Sequence, residues 1–417
     1  MRSNLSPTVR RAPRFAMGLV AALALAACGG SSGGGQPQPQ PQPGSGYQTF
    51  QAAALVLGQS SFTANTANQG GAASAATMSA PHQVCFSKRG LLAVDAANNR
   101  VLGWTNVPAT NGDDADWVIG HMQFDQTGGV TGIGELNGPS GVGFDGTSIW
   151  VADSSSNRLV AYTPEPTQNG AGAALVLGQA DFFSNGQSVP PAANTFAAPN
   201  GVSATATTLA VADTLNNRVL LFTPLPAANN APATWVLGQA TMAGNAINQG
   251  GTPTAATMSQ PYGVWTDGTK VVVADLANNR VLIWNSFPTA DGQAADLVLG
   301  QASMTTSSIG SGATGMRGPS DVTSDGTRLF VADCENNRVL VWNTWPTTNG
   351  QAADAVLGQS DFNHTAANDD DQDGTPDASC TARTFFSSNG YLWVHAEGGS
   401  LWVGDRRNNR VLRFDPS

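Results

Sequence analysis

Charge is scarce in this chain. Only 12% of its 417 residues are charged, and Asp plus Glu outnumber Lys plus Arg by 29 to 19. A net charge of −10 leaves no basic surface for a phosphate backbone, which excludes nucleic acid as a partner. Cysteine and histidine number four each, and the spacing of the histidines fixes no metal site. No Ser-His-Asp arrangement, phosphate loop or nucleotide fingerprint stands out. The apolar run Phe15 to Ala27 has 13 residues, too few to span a bilayer.

That run has another reading. It follows Arg10, Arg11 and Arg14 and ends Leu25-Ala26-Ala27-Cys28-Gly29. A basic start, a short apolar stretch and small residues before a cysteine resemble a bacterial lipoprotein signal. Residues 1–27 are expected to be removed, and Cys28 to be lipidated as the mature N-terminus. Gly29, where an Asp would mark retention, resembles outer-membrane sorting. Residues 28–50 carry a Gly/Ser and Gln-Pro stretch that cannot bury a core and reads as a tether. Loss of the signal removes four Arg and no acid, leaving about −14, so attachment is expected through lipid only.

What the chain has in abundance is a repeat, which fills residues 51–417. Asp95, Asp153, Asp213, Asp275, Asp333 and Asp405 lie 58, 60, 62, 58 and 72 residues apart. Each is followed at +5 by an Arg (Arg100, Arg158, Arg218, Arg280, Arg338, Arg410) and at +9 by an aromatic residue. Each unit carries four short β-rich runs bounded by Asn, Gly and Pro. Four strands repeated at a fixed period predict an all-β, six-bladed β-propeller.

From each of the first five Asp residues to the Gly of the next Val-Leu/Ile-Gly run is 25 residues. For Asp405 that count runs past Ser417. The spare copy, Leu55-Val56-Leu57-Gly58, stands at the other end. The N-terminal strand is therefore expected to complete the last blade and close the ring. Tyr391 stands where the other units have Pro81, Pro139, Pro199, Pro261 and Pro319.

The motif Val-Ala-Asp-x-x-Asn-Asn-Arg-Val resembles the NHL repeat over about residues 50–417. The resemblance implies the propeller fold and a habit of binding. NHL-like propellers include ligand-binding modules and a few enzymes, so function must be argued from the sites. The six Asp/Arg pairs read as scaffold, since identical copies in every unit suit a repeated turn better than one active site.

Asymmetry lies elsewhere. The insertion before the sixth blade places Asp369, Asp371, Asp373 and Asp377 at positions 1, 3, 5 and 9, with Gly374 at 6. This is oxygen-ligand spacing for calcium. It resembles the short acidic calcium loops of thrombospondin type 3 repeats, and calcium is the expected ion; zinc is not expected. Cys334 and Cys380 fall on one side of adjacent blades, and a disulfide between them is expected, leaving Cys85 a buried free thiol. The ring His82, Ser140, Asn200, Tyr262, Ser320 and Leu392, with His395 on the last inner strand, is the expected channel-mouth cup. The connections entering each inner strand vary in length, from 33 to 47 residues between Gly and the next Asp. They are expected to form one face and to bind a protein, peptide or glycan. Phe62, Phe124, Phe182, Met242, Met304 and Phe362 read as pegs packing these loops. The expected protein is a monomeric, lipid-anchored binding scaffold of the cell envelope, with its propeller periplasmic or extracellular. The competing expectation is a metal-dependent lyase or hydrolase at the channel mouth, using His82, His395 and Tyr262.

Overall fold

The computed structural model describes residues 46–387 and 391–417. The signal run, Cys28 and most of the tether lie outside the described residues.

Six four-stranded antiparallel sheets follow one another around an axis. In the first, Pro81–Ser87 is innermost, followed outward by Gly90–Asp95, Arg100–Gly103 and Trp117–Ile119. The inner strands of neighbouring blades pack in sequence, and the last returns to the first. Leu55–Leu57 is the outer strand of the sixth blade and pairs antiparallel with Arg410–Phe414, Leu55 opposite Arg413. The expected closure is the observed one. Among the described residues the only helical turns are short 3-10 turns.

Strand composition explains the stacking. Alternate side chains of each sheet point to the blade before and the blade after. Six apolar clusters result, one at each interface; the seam between blades six and one is filled by Leu55, Leu57, Met78, Val84, Leu91 and Trp402, among others. A blade cannot bury either face alone, so the ring stands only when closed.

The repeat motif is accounted for residue by residue. Asp275 Oδ2 accepts from Arg280 Nε at 2.7 Å and from Asn278 at 2.8 Å, and Oδ1 accepts the Ser259 amide at 2.7 Å. Asn279 sits at φ 53°, the left-handed region that Asn tolerates better than most residues. Its side chain accepts the Gly318 amide of the next blade at 2.9 Å. Arg280 also donates to the carbonyls of Met304, Thr254 and Thr257, which belong to the long connections on either side. All six pegs pack partly buried against an apolar cluster as expected, and all six have the carbonyl that receives this arginine: Phe62, Phe124, Phe182, Met242, Met304 and Phe362. The ion pairs are therefore clamps between the tight turn and the long loops.

One expectation about the sixth blade is corrected. In the other five, the inner-strand proline pairs with the repeat Asp and a β-bulge follows. In the sixth, Leu392 is opposite Asp405, Trp393 opposite Gly404 and Val394 opposite Val403, with no bulge. Leu392, not Tyr391, takes the pairing place of the five prolines. The strand is one residue shorter at this level, and Tyr391 is left free of the ladder.

Candidate functional sites

The bulge position decides what stands on the axis. Counting back one residue from the valine shared by every inner strand gives Gln83, Gly141, Gly201, Gly263, Asp321 and Trp393. Three large side chains and three glycines share the space. A Cβ on Gly141 would lie 2.1 Å from the Asn200 carbonyl oxygen, and one on Gly263 would lie 2.2 Å from Asp321 Oδ1. Gln83 Oε1 accepts the Val142 amide at 3.0 Å, and Asp321 Oδ2 accepts the Val394 amide at 3.0 Å. Both side chains thus satisfy amides of other blades' inner strands. Asp321 Oδ1 has no partner. Burial pushes its carboxyl well above the ordinary aspartate value.

The expected cup divides into two groups. Ser140, Asn200 and Ser320 are consumed by structure. Ser140 hydroxyl meets the Pro199 carbonyl at 3.2 Å, Asn200 donates to Thr214 Oγ1 at 2.9 Å, and Ser320 donates to the Leu392 carbonyl at 2.7 Å. His82 and Tyr262 join an aromatic cluster with two residues the sequence reading did not select. Trp393 lies 5.4 Å from His82 and 5.4 Å from Tyr262 between ring centroids, and Tyr262 stacks on Tyr391 at 4.1 Å. Arg406 sits over Tyr391 at 5.9 Å. Burial first, and then the Arg406 cation, hold His82 down at about 3. Burial and the proximity of Tyr391 keep Tyr262 far above the ordinary phenol value. A signal was present in the sequence: the residue after the repeat Asp is Ala96, Ser154, Thr214, Leu276 or Cys334 in five units and Arg406 in the sixth.

His395 does not join His82. His395 is opposite Trp402, two residues along the strand from Trp393, the residue that stacks on His82. It stacks on Phe86 at 6.1 Å and approaches Glu397 at 3.7 Å. His121 takes the place of the glutamine that opens the other long loops and bonds the Asn98 carbonyl at 3.0 Å. His364 pairs with Asp361 at 2.9 Å. The arrangement required of a shared histidine metal site is not formed by these four residues.

The acidic insertion is grafted onto a loop type used twice elsewhere. Asn68 pairs with Asn98, Asn248 with Asn278, and Asn368 with Asn408, each through reciprocal amide contacts. After Asn368 the chain leaves this pattern. Asp369 is buried, and its two oxygens accept the amides of Asp373 at 3.1 Å and Gly374 at 3.0 Å. Gly374 at φ 87° supplies the turn. Carboxylate oxygens of Asp369, Asp371 and Asp373 lie within 4.8 Å of one another. Although the Asp373 amide pulls it down, the Asp373 and Asp377 carboxylates help raise Asp371 above its ordinary value, a repulsion that a cation would relieve. Three hard oxygen donors at this spacing fit calcium. Asp377 is not among the three; its Oδ2 accepts the Asp370 amide at 3.1 Å.

The expected Cys334–Cys380 disulfide is corrected. Cys334 Sγ lies 3.8 Å from the Ser387 carbonyl oxygen, whereas Cys380 Sγ faces the carbonyls of Phe62 and Ala64 at 3.3 and 3.5 Å. Cys380 is turned toward the seam loop between blades six and one, away from blade five. All three described cysteines are buried, and none of them forms a disulfide. Burial pushes Cys334 up to about 12 and Cys85 higher still, so neither is a ready nucleophile.

The exposed large apolar side chains are unevenly placed. Among the described residues they are Met122, Val130, Ile133, Phe183, Val189, Leu215, Ile247 and Ile309. Seven lie in the long connections between blades one and five, and Leu215 lies in a tight turn on the same side. None lies in the hairpins of the opposite side.

No protein-family model and no curated protein sequence matches the chain. Solved structures do. They include a glutaminyl cyclase of Myxococcus xanthus (10% identity, TM-score 0.34, covering 66% of this chain and 88% of that one). They also include the Cps50 (Swd1) β-propeller domain of Myceliophteria thermophila (9%, 0.43, 81% and 97%) and a nidogen/laminin complex (14%, 0.40, 81% and 89%). At such identities the likeness is one of fold and says nothing of what this chain binds; the chain is a six-bladed β-propeller.

Proposed function

We propose that this protein is a lipid-tethered propeller of the cell envelope that docks a protein partner on its long-loop side. One observation carries the reading: every exposed large apolar side chain among the described residues lies on that side, with Phe183 72% and Val189 86% exposed. Scattered apolar residues need no explanation, but a one-sided set does. The set is mostly aliphatic, which suits a protein surface better than a glycan, whose sugar faces call for aromatic rings. The Asp369–Asp373 loop lies on the same side, and a calcium ion there would fix its shape. The lipid on Cys28 and the extended tether would hold this surface away from the membrane.

The test is photo-crosslinking in intact cells from positions 183 and 189, with Thr207 on an opposite-side hairpin as control. A discrete protein adduct from 183 and 189 and none from 207 supports the reading. Equal adducts from all three, or none, overturn it. Mass spectrometry of the mature N-terminal peptide tests the lipid on Cys28 separately.

A further inference from the structure

We propose that the long-loop end of the axis binds a small anion with a flat apolar face, in its simplest form an aromatic carboxylate. This inference stands on the axial cluster and does not depend on the apolar side chains of the loops.

Arg406 is the first ground. It is half-buried, its Nε is buried without a partner, and no carboxylate pairs with it among the described residues. The other arginines of that turn and its surroundings are occupied: Arg410 by Asp405 at 2.9 Å and Arg317 by Glu335 at 2.8 Å. The corresponding hydroxyls in blades two and three, Ser154 and Thr214, reach the Pro199 and Pro261 carbonyls of the next inner strand. The position therefore faces the mouth of the axis, and only the sixth blade puts a cation there.

The second ground is the unmet hydrogen bonding around it. Both ring nitrogens of His82, Trp393 Nε1 and Asp321 Oδ1 are buried and have no partner. His82 is neutral and offers one donor and one acceptor. Asp321 receives the Val394 amide on Oδ2, which leaves Oδ1 open toward the same space, and Trp393 Nε1 and Arg406 Nε are donors only. Donors thus outnumber acceptors, and Arg406 supplies a positive charge. A buried polar group left unmatched is costly, so this set is expected to be matched by something.

The third ground is the wall. Tyr391, Tyr262 and Trp393 form a continuous aromatic surface beneath Arg406. A guanidinium beside aromatic faces selects a carboxylate on a flat body.

The experiment titrates the purified full-length chain with benzoate, and with neutral benzamide, by calorimetry and tryptophan fluorescence. Benzoate is expected to saturate at one per chain and to bind at least tenfold tighter than benzamide. Arg406→Met should weaken benzoate at least tenfold, and Arg407→Met should leave it unchanged. If Arg406→Met fails to fold, Arg406→Lys should still weaken benzoate severalfold. Crystals soaked in benzoate should show it between Arg406 and Tyr391. Absence of saturable binding, binding indifferent to position 406, or water alone at the His82 and Trp393 nitrogens in those crystals overturns the proposal.

Discussion

Trp393 stacks on His82 with ring centroids 5.4 Å apart, joining the inner strand of the last blade to that of the first. The contact exists because the sixth inner strand, which has no bulge, places a large ring at a level where three other blades carry glycine. The seam of the ring is thus held twice, by Leu55–Leu57 at the rim and by Trp393 at the axis.

His82 makes stability acid-sensitive. Its pKa falls from 6.5 in the open chain to about 3 in the fold. The unfolded state binds the extra proton, so the contribution is complete above pH 6.5 and drains as pH falls toward 3. The slope is about 1.4 kcal/mol per pH unit within that window. His82→Leu should flatten the urea-unfolding free energy between pH 6.5 and 4.5; an unchanged slope would show that His82 is not the group responsible.

Asp321 acts with the opposite sign. Its folded pKa is raised from 3.8, so its contribution is complete below that value and is lost as pH rises through the folded value. Asp321→Asn keeps the shape and removes the titration. The variant should melt higher than the parent at pH 8 and gain less, or nothing, at pH 4. A variant less stable at both values contradicts this.

Gly263→Ala should destabilise by about 1–3 kcal/mol, because the new methyl would meet the carboxyl and Cα of Asp321 at 2.2 and 2.5 Å. Gly128→Ala, where nothing lies within 4 Å, should change stability by no more than about 0.5 kcal/mol. Chemical denaturation of the two variants side by side checks the claim that the axis is close-packed.

Arg280→Met should cost about 3–5 kcal/mol, since it strands buried Asp275 and frees three loop carbonyls at once. The accompanying sign is local: limited proteolysis should cut first in the connections holding Thr254 and Met304. Cleavage elsewhere would mean that the arginine is not a loop clamp.

Calcium should raise the melting temperature and protect the segment 369–377 from protease; at a hundredfold excess over Kd the gain is about 2.7 kcal/mol. Asp371→Ala or Asp373→Ala should abolish it, whereas Asp377→Ala should weaken it less, because that carboxylate serves the Asp370 amide. Equal loss from all three would place Asp377 among the ligands.

The sequence by itself determined the repeat, the six blades and the strand that closes them. Those features depend on chain spacing: a 25-residue interval and a Val-Leu-Gly copy at the wrong end permit one closed solution. It also determined that Asp and Arg are scaffold, because a demand repeated six times leaves a sixfold mark. Tertiary structure decided what is shared between blades. The missing bulge in blade six, the sharing of the axis by Gln83, Asp321 and Trp393, and the separation of His82 from His395 arise where blades meet. Cys380 facing Phe62, 318 residues away, is the same lesson. Local patterns record what each blade needs for itself; which side chains share a space at the axis is set by closing the ring.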